Sequence, residues 1–268
     1  MIKGSFVPSV NTKYMLMKEV FEHIKERQED CGLNINTQAI SLLGRSRRLL
    51  ITKELHLSLK ETFDRKERAL LFLNRRGTSP SLVCTDCGNA VLCPRCSVPL
   101  AYHSKGRELV CHTCGHRQSP PSECPLCKGY TLKASGFGID RAASEFKKRF
   151  PNIPVLVLDS DAASPSHIIE EFEALQPSCL LSTQTVLGFP KIPAIGALGI
   201  LTCDSLLNLP DYKASEEVFR LLMSLVHLLK TSGGSLNKTF VIQSLNPEHY
   251  AIKSAKAPES FYDAELDR

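Results

Sequence analysis

The apolar positions of this chain fall into two rhythms that alternate along its length. Met17, Val20, Phe21 and Ile24 recur at helical spacing across residues 12–28, with Asn11 or Thr12 placed to cap, and predict an amphipathic helix. Leu55, Leu59 and Phe63 mark a second helix after Thr52, and the continuous apolar run ALLFL (69–73) has the length of a buried strand. Further on, residues 140–150 read as helix and Val155 to Leu158 as strand. Ser164-Pro165 opens a helix bearing Ile168, Ile169, Phe172 and Leu175, Pro being favoured at the first helical position. Leu180-Leu181, Ala197 to Leu201 and Phe240 to Ile242 read as strands. Between the last two, Ser215 is placed to cap a helix whose stripe is Val218, Leu221, Leu222, Leu225, Leu228 and Leu229. Strands alternating with helices predict an α/β fold with a parallel sheet covered on both faces. A cysteine-rich segment is expected to interrupt that sheet just after its first strand.

Composition narrows the class without changing this picture. The chain has 268 residues, 43% hydrophobic and 23% charged, with 15 Gly and 16 Pro, which excludes collagen, long low-complexity disorder and coiled coil. The longest apolar stretch, Ile192 to Cys203, is broken by Pro193, Gly196 and Gly199 and is far short of the roughly 20 residues that a membrane-spanning helix needs. The N-terminal residues lack the apolar core of a secretion signal, so a cytoplasmic location with no membrane partner is expected.

The cysteines carry the chemistry. Eight of the eleven form four identical pairs, Cys84-x2-Cys87, Cys93-x2-Cys96, Cys111-x2-Cys114 and Cys124-x2-Cys127. In a reducing compartment such spacing means metal rather than disulfide. A C-x2-C turn brings two thiolates to one tetrahedral ion at about 2.3 Å each, and two turns close a shell of four. Eight ligands therefore make two structural zinc sites. Three groupings of the pairs are possible, and a nested one is favoured. Cys93, Cys96, Cys111 and Cys114 flank a segment whose apolar-polar alternation around Ser104-Lys105-Gly106 reads as the hairpin of a zinc ribbon, and Cys84, Cys87, Cys124 and Cys127 then close the base. His103, His112 and His116 stand nearby as alternative ligands. Closed thiolate shells leave no open position for catalysis, so the metal's role here is folding.

Charge is uneven. Residues 45–76 carry ten Lys/Arg against four Asp/Glu, a local +6 that exceeds the +5 of the whole chain and suits a nucleic-acid partner, or else a solvated helix face. Residues 78–135 carry six Lys/Arg and three Asp/Glu, and two four-thiolate zinc centres would bring that segment near −1. By charge alone it is a weak phosphate binder, better suited to holding proteins or reading DNA shape. Cys31, Cys179 and Cys203 read as buried small hydrophobes, and Asp159 and Asp161 as loop or capping residues after a strand.

ALLFLNRRGTSPSLVCTDCG (69–88), the four C-x2-C pairs, LNLPDYKASE (207–216) and NPEHYAI (246–252) together resemble the PriA family of replication-restart helicases, also called primosomal protein N′. GSFVPS (4–9) and FYDAELDR (261–268) extend the likeness over nearly the whole chain. The resemblance implies a RecA-like second lobe carrying a two-zinc insertion, divided as a remnant of the preceding lobe and linker (1–43), the start of the lobe (44–77), the zinc insertion (78–135), the remainder of the lobe (136–252) and a C-terminal tail (253–268). It also implies DNA, branched or single-stranded, and primosome or other replication proteins as partners. Arg75, Arg76, Thr183 and Gln184 stand at positions suited to nucleic acid; the alternatives are a carboxylate partner for one of the arginines and a plain polar strand end at Thr183.

The departures from the family concern its motor. No stretch fits G-x4-G-K-[ST], and the acidic Mg²⁺-binding motif is missing. The family's first lobe, N-terminal DNA-binding domain and most of its C-terminal domain have no counterpart in the sequence. The family's Gln-Val-Ala-Gly-Arg-Ala-Gly-Arg falls on residues 224–231, where Leu228 and Thr231 replace both arginines; an arginine finger is worth roughly 10³–10⁵ in rate. Gly188-Phe189 stand near the family's Lys-Gly, and Phe6-Val7 stand for its Ala-Thr. The expected function is replication restart by binding, with two Zn²⁺, no catalytic residue and no ATP on this chain alone. The alternative is one half of a split ATP-dependent 3′-5′ DNA helicase that docks a separate nucleotide-binding lobe and recruits Lys230 or Arg220. A DnaJ-type cysteine-rich module is disfavoured because its C-x2-C-x-G-x-G pattern fails at Gly88-Asn89-Ala90 and Gly115-His116-Arg117.

Overall fold

A computed structural model describes Ser9 and residues 33–42, 50–74, 81–84, 86, 91–96, 100–103, 106–111, 114–135, 139–160, 162–203, 207 and 213–266. The helix expected over 12–28, Cys31, Cys87, Arg75, Arg76, His112, Asp161 and Phe6-Val7 lie outside the described residues.

Among the described residues, six strands form one parallel sheet: β1 (Asn34–Ser41), β2 (Ala69–Phe72), β8 (Val155–Leu158), β9 (Cys179–Ser182), β10 (Ala197–Ile200) and β11 (Asn237–Ser244), in the order β1-β11-β10-β2-β9-β8. The central strand β2 is fully buried, as its uninterrupted apolar run requires when both faces are covered. Pleating sorts it: Leu70 and Phe72 face one core, while Ala69, Leu71 and Leu73 face the other. Helices α1 (Lys53–Asp64) and α2 (Ile139–Arg149) fill the second core with Leu55, Leu59, Phe63, Ala142 and Phe146. On the opposite face, α3 (Pro165–Ala174) contributes Phe172 and α4 (Ala214–Thr231) contributes Val218, Leu222, Leu225 and Leu229, with short α5 (Tyr250–Lys253) and α6 (Glu259–Leu266) beyond. At Gly199 of β10 an added Cβ would stand 2.6 Å from Leu55 Cδ1, so this glycine sets how closely α1 lies on the sheet.

Several expectations need correction. The sheet's first strand is β1, so the cysteine-rich segment follows its second. β1 lies within the stretch assigned to a preceding lobe and linker (1–43), yet it pairs with β11 along eight residues, Asn34↔Asn237 to Ser41↔Ser244. Helix α4 begins at Ala214 with Lys213 as its cap, which places Ser215 inside the first turn. Ser164 occupies the cap of α3 without a side-chain hydrogen bond, leaving the start to Pro165. Of the stretch expected as a tail (253–268), the described residues 253–266 fold onto the lobe: Phe261 is buried and stacks on Phe219 with centroids 4.0 Å apart, and the Tyr250 hydroxyl donates to Glu265. The helix expected after Thr52 is α1, and Thr52 itself caps it, its Oγ1 accepting from Leu55 N at 3.3 Å.

A candidate metal centre on a ribbon module

Between β2 and α2 the chain leaves the parallel sheet and builds a second one. Strands β3 (Ser81–Cys84), β4 (Ala101–His103), β5 (Glu108–Val110), β6 (Arg117–Gln118) and β7 (Leu132–Ser135) pair antiparallel in the order β6-β5-β4-β3-β7. β4 and β5 are the hairpin read from the alternation around 104–106. The module's core is small, with Leu82, Val91, Leu100 and Leu109 packed against Cys93 and Cys111. So few large side chains cannot offset the ordering entropy of so many residues, and a metal is the usual remedy.

The thiols converge as two groups. The ligand atoms of Cys93, Cys96, Cys111 and Cys114 all lie within 4.8 Å of one another, as do those of Cys84, Cys124 and Cys127. Cys93 Sγ is 3.7 Å from Cys114 Sγ, and Cys84 Sγ is 3.6 Å from Cys127 Sγ. A tetrahedral ion with sulfur at about 2.3 Å has ligand edges of about 3.8 Å, so both spacings suit zinc. This is the nested grouping; Cys87, the expected fourth member of the outer set, lies outside the described residues. No histidine joins either group among the described residues, and His116 Nε2 instead pairs with Gln118 Oε1 at 3.0 Å.

Two of the turns that present these thiols are built alike from backbone alone. Gly115 N donates to Cys111 O (2.9 Å) and Cys111 N to His116 O (2.8 Å); one turn later in the module, Lys128 N donates to Cys124 O (2.9 Å) and Cys124 N to Gly129 O (2.7 Å). The fifth residue of each turn takes a left-handed conformation, Gly115 at φ +72° and Lys128 at φ +60°. A third pair adds an amide to sulfur, Arg95 N donating to Cys93 Sγ at 3.4 Å, which favours the thiolate. Hydrogen bonding to Cys114, then burial and the Cys114 charge, push the Cys96 thiol up to about 12. A dication reverses that balance, because thiolates are its ligands.

Of the second set of expected residues, the described members Thr183 and Gln184 lie at the carboxyl end of the parallel sheet. Thr183 is buried just past β9, its Oγ1 3.2 Å from Thr185 Oγ1, and Gln184 Nε2 donates to Asn74 Oδ1 at 3.2 Å. Asn74, just past β2, was not singled out from the sequence, although it directly precedes Arg75 and Arg76. Its bond to Gln184 ties together the two loops from which all four expected nucleic-acid residues come. Part of the basic stretch is structural instead: Arg68 donates to the carbonyls of Phe172, Glu173 and Leu175 at the end of α3, and Arg65 pairs with Glu67 at 2.9 Å. The segment 224–231 lies wholly within α4, with Leu225, Leu228 and Leu229 buried in the core and Arg220 and Lys230 exposed. Cys179 and Cys203 are buried, and burial pushes the Cys179 thiol up. No described helix is long and apolar enough to cross a membrane.

Comparison with known proteins agrees with this geometry. Residues 93–118, which contain the inner four cysteines, match the PriA DNA helicase Cys-rich region (CRR) domain. The chain is 34% identical over 221 residues to the replication restart protein PriA of Borreliella burgdorferi, covering 81% of this chain and 33% of that protein. It is 32% identical over 232 residues to that of Bacillus subtilis, 84% and 28% of the two chains, and 29% identical over 271 residues to that of Treponema pallidum, 99% and 41%. The chain thus spans about a third of the length of the curated relatives it matches.

Proposed function

This chain is PriA-like over most of its length, and on that premise we propose that it serves replication restart as a binding protein, with two Zn²⁺ ions holding its Cys-rich module and no ATPase activity of its own. Cys93, Cys96, Cys111 and Cys114 hold one ion; Cys84, Cys87, Cys124 and Cys127 hold the other. The observation that carries the reading is the convergence of the thiols into two groups on one module that departs from and returns to the parallel lobe. Residues 78–135 are the zinc unit; 44–77 with 136–252 form the RecA-like lobe, to which β1 and the packed residues 259–266 also belong. DNA, branched or single-stranded, meets the loops after β2 and β9 through Arg75, Arg76, Thr183 and Gln184, while the module holds primosome or other replication proteins. The absence of ATPase activity is supported by the burial of Leu228 where the family motif has an arginine. Zinc stoichiometry, combined with binding to forked and single-stranded DNA at two salt concentrations, tests this: two ions per chain and a falling affinity with salt are expected. No metal, or a single ion, would overturn it, as would DNA-stimulated ATP hydrolysis by the purified chain.

A second reading, half of a split helicase, is favoured by the Asn74–Gln184 bond, which keeps the loops at the sheet's carboxyl end in a defined relation. Mixing this chain with a separately expressed nucleotide-binding lobe of a PriA relative tests it; ATP hydrolysis by the mixture, absent from either part, is the result that favours it.

A further inference from the structure

Strand β8 is the last strand of the parallel sheet. Cys179 N donates to Pro154 O (2.9 Å) and Thr183 N to Leu158 O (3.2 Å), and the register runs Val155↔Cys179 to Leu158↔Ser182. In a parallel ladder of that phase Leu156 and Leu158 bond to β9, while the N–H and C=O groups of Val155 and Val157 point away from the sheet. Among the described residues no strand pairs with that edge. Exposed edges are normally guarded by a charge, a proline or a bulge in the strand itself, but Val-Leu-Val-Leu has none. Charge stands beside it instead. An open groove of about 600 Å³ runs along the edge, lined by Val157 and by Ala143, Ser144, Lys147 and Lys148 of α2. Lys147 and Lys148 are exposed and make no ion pair among the described residues, whereas Arg149 of the same turn is held by Glu145 at 3.2 Å.

We propose that this edge receives an extended acidic segment of a partner protein as an added strand, whose backbone pairs with Val155 and Val157 and whose carboxylates reach Lys147 and Lys148. Strand addition supplies affinity through the main chain and specificity through alternate side chains, which here all lean toward one basic helix face. This goes beyond the binding role proposed above, since it uses neither the thiol module nor the loops at the sheet's carboxyl end. Nucleic acid would use the lysines but has no need of the edge.

The probe is a short fluorescent peptide alternating Asp and Val, titrated against the full zinc-loaded chain by anisotropy. Binding is expected to weaken with salt and to fall about tenfold or more in Lys147→Glu/Lys148→Glu. Val157→Pro removes only an outward N–H and should also weaken it, as should N-methylation of alternate peptide amides, an arm independent of whether that variant folds. Equal binding by an Asn-Val peptide, or undiminished binding of the N-methylated peptide, overturns the proposal. So does a short DNA duplex that displaces the peptide while Val157→Pro leaves both affinities unchanged, which would mark a phosphate surface. Unchanged zinc content in the lysine variant separates failure here from failure of the zinc reading.

Discussion

Gln243 offers the sharpest test of how the lobe is held together. Its side chain is fully buried in β11, with Oε1 accepting from Thr52 N at 2.9 Å and Nε2 donating to Leu50 O at 2.7 Å and Leu201 O at 2.9 Å. One carboxamide thus fastens the start of α1 and the end of β10 to the sheet. Gln243→Leu keeps the volume and deprives three buried backbone groups of this partner. At roughly 1–2 kcal/mol for each buried group left unsatisfied, the lower part of the usual range, about 3–6 kcal/mol should be lost. That is a large part of the roughly 5–15 kcal/mol that holds a typical domain. In urea, with a slope of about 3 kcal/mol/M, the midpoint measured by far-UV circular dichroism should drop by about 1–2 M. Gln243→Glu sharpens the test, because its second oxygen faces two carbonyls unless protonated. Its folded-state pKa must then lie above the unfolded one, so that variant should gain stability as pH falls. A Gln243→Leu midpoint within about 0.3 M of the wild type, or a Glu variant that loses stability toward acid relative to wild type, would refute the reasoning.

Other consequences are open to measurement. Lys128→Gly, at a left-handed position that glycine adopts freely, should stabilise the zinc-loaded module by about 1 kcal/mol, since the exposed Lys128–Glu123 pair it gives up contributes little; a lowered melting temperature would contradict this. Phe261→Ala should destabilise the lobe by about 3–5 kcal/mol if residues 259–266 are packed against Phe219, and a chemical-denaturation midpoint matching wild type would count against that packing. Removing metal with a chelator should abolish amide protection across 81–135 while leaving that of β2, β9 and β10 in place, by hydrogen exchange. His56, stacked on Phe150 at 4.7 Å, has its pKa lowered by burial and by Arg149 and Lys60, so the folded state favours the neutral ring. The unfolded chain therefore takes up the proton first, and stability falls as pH drops below about 6.5. His56→Phe should lose that part of the slope, and an identical acid limb in the two proteins would disprove it.

What could be seen in the sequence was whatever one residue and its near neighbours decide. β2 announced itself because a strand covered on both faces must be apolar at every position, and the hairpin of β4 and β5 because one apolar face alternates. The cysteine grouping was legible because a C-x2-C step sets two thiols on one turn and the segment between the inner pairs alternates as a hairpin does. β1 was not, for a physical reason: NINTQAIS is, among the described residues, an edge strand with one neighbour, held by its eight-residue ladder with β11 and by only three partly buried apolar side chains, Ile35, Ala39 and Ile40, split between the two cores, so no clear periodicity marks it. The long-range fasteners were equally silent. Gln243 reaches Leu50 across 193 positions, and Glu145 accepts from the amides of Leu50 and Ile51 across 95 and 94. The residues around 50 look unremarkable in sequence because their partners are elsewhere. Ser215 misled because a serine before an apolar stripe resembles a cap, whereas the helix starts one residue earlier, with Glu216 and Glu217 in the first turn where the helix dipole favours them.

The way the module joins the lobe explains why two such different folds tolerate one another. β3 and β7 pair antiparallel from Ser81↔Ser135 to Cys84↔Leu132, so the chain enters and leaves the module at adjacent points. The lobe therefore sees the whole excursion as one loop between β2 and α2, closed by the module's own base strands. The ends are fixed together before any thiol is counted, and lengthening a closed loop costs little, about 0.6 kcal/mol per doubling. Cys84 ends β3 at the end of that ladder away from Ser81↔Ser135, 3.6 Å from Cys127, so the outer thiol group closes the far end of the β3–β7 pair while the inner group, with Cys111 just past β5, adjoins the β4–β5 hairpin. An ion at the outer site fastens the far end of the β3–β7 pair, and an ion at the inner site fastens the β4–β5 hairpin. Loss of the outer ligands should accordingly loosen the β3–β7 pair, whereas loss of the inner ones should unfold the hairpin and leave that pair in place. Cys124→Ser and Cys111→Ser, compared by hydrogen exchange at Val83 and at Leu109, distinguish these outcomes. Equal loss of protection at both positions in both variants would mean that the two sites fold as one unit.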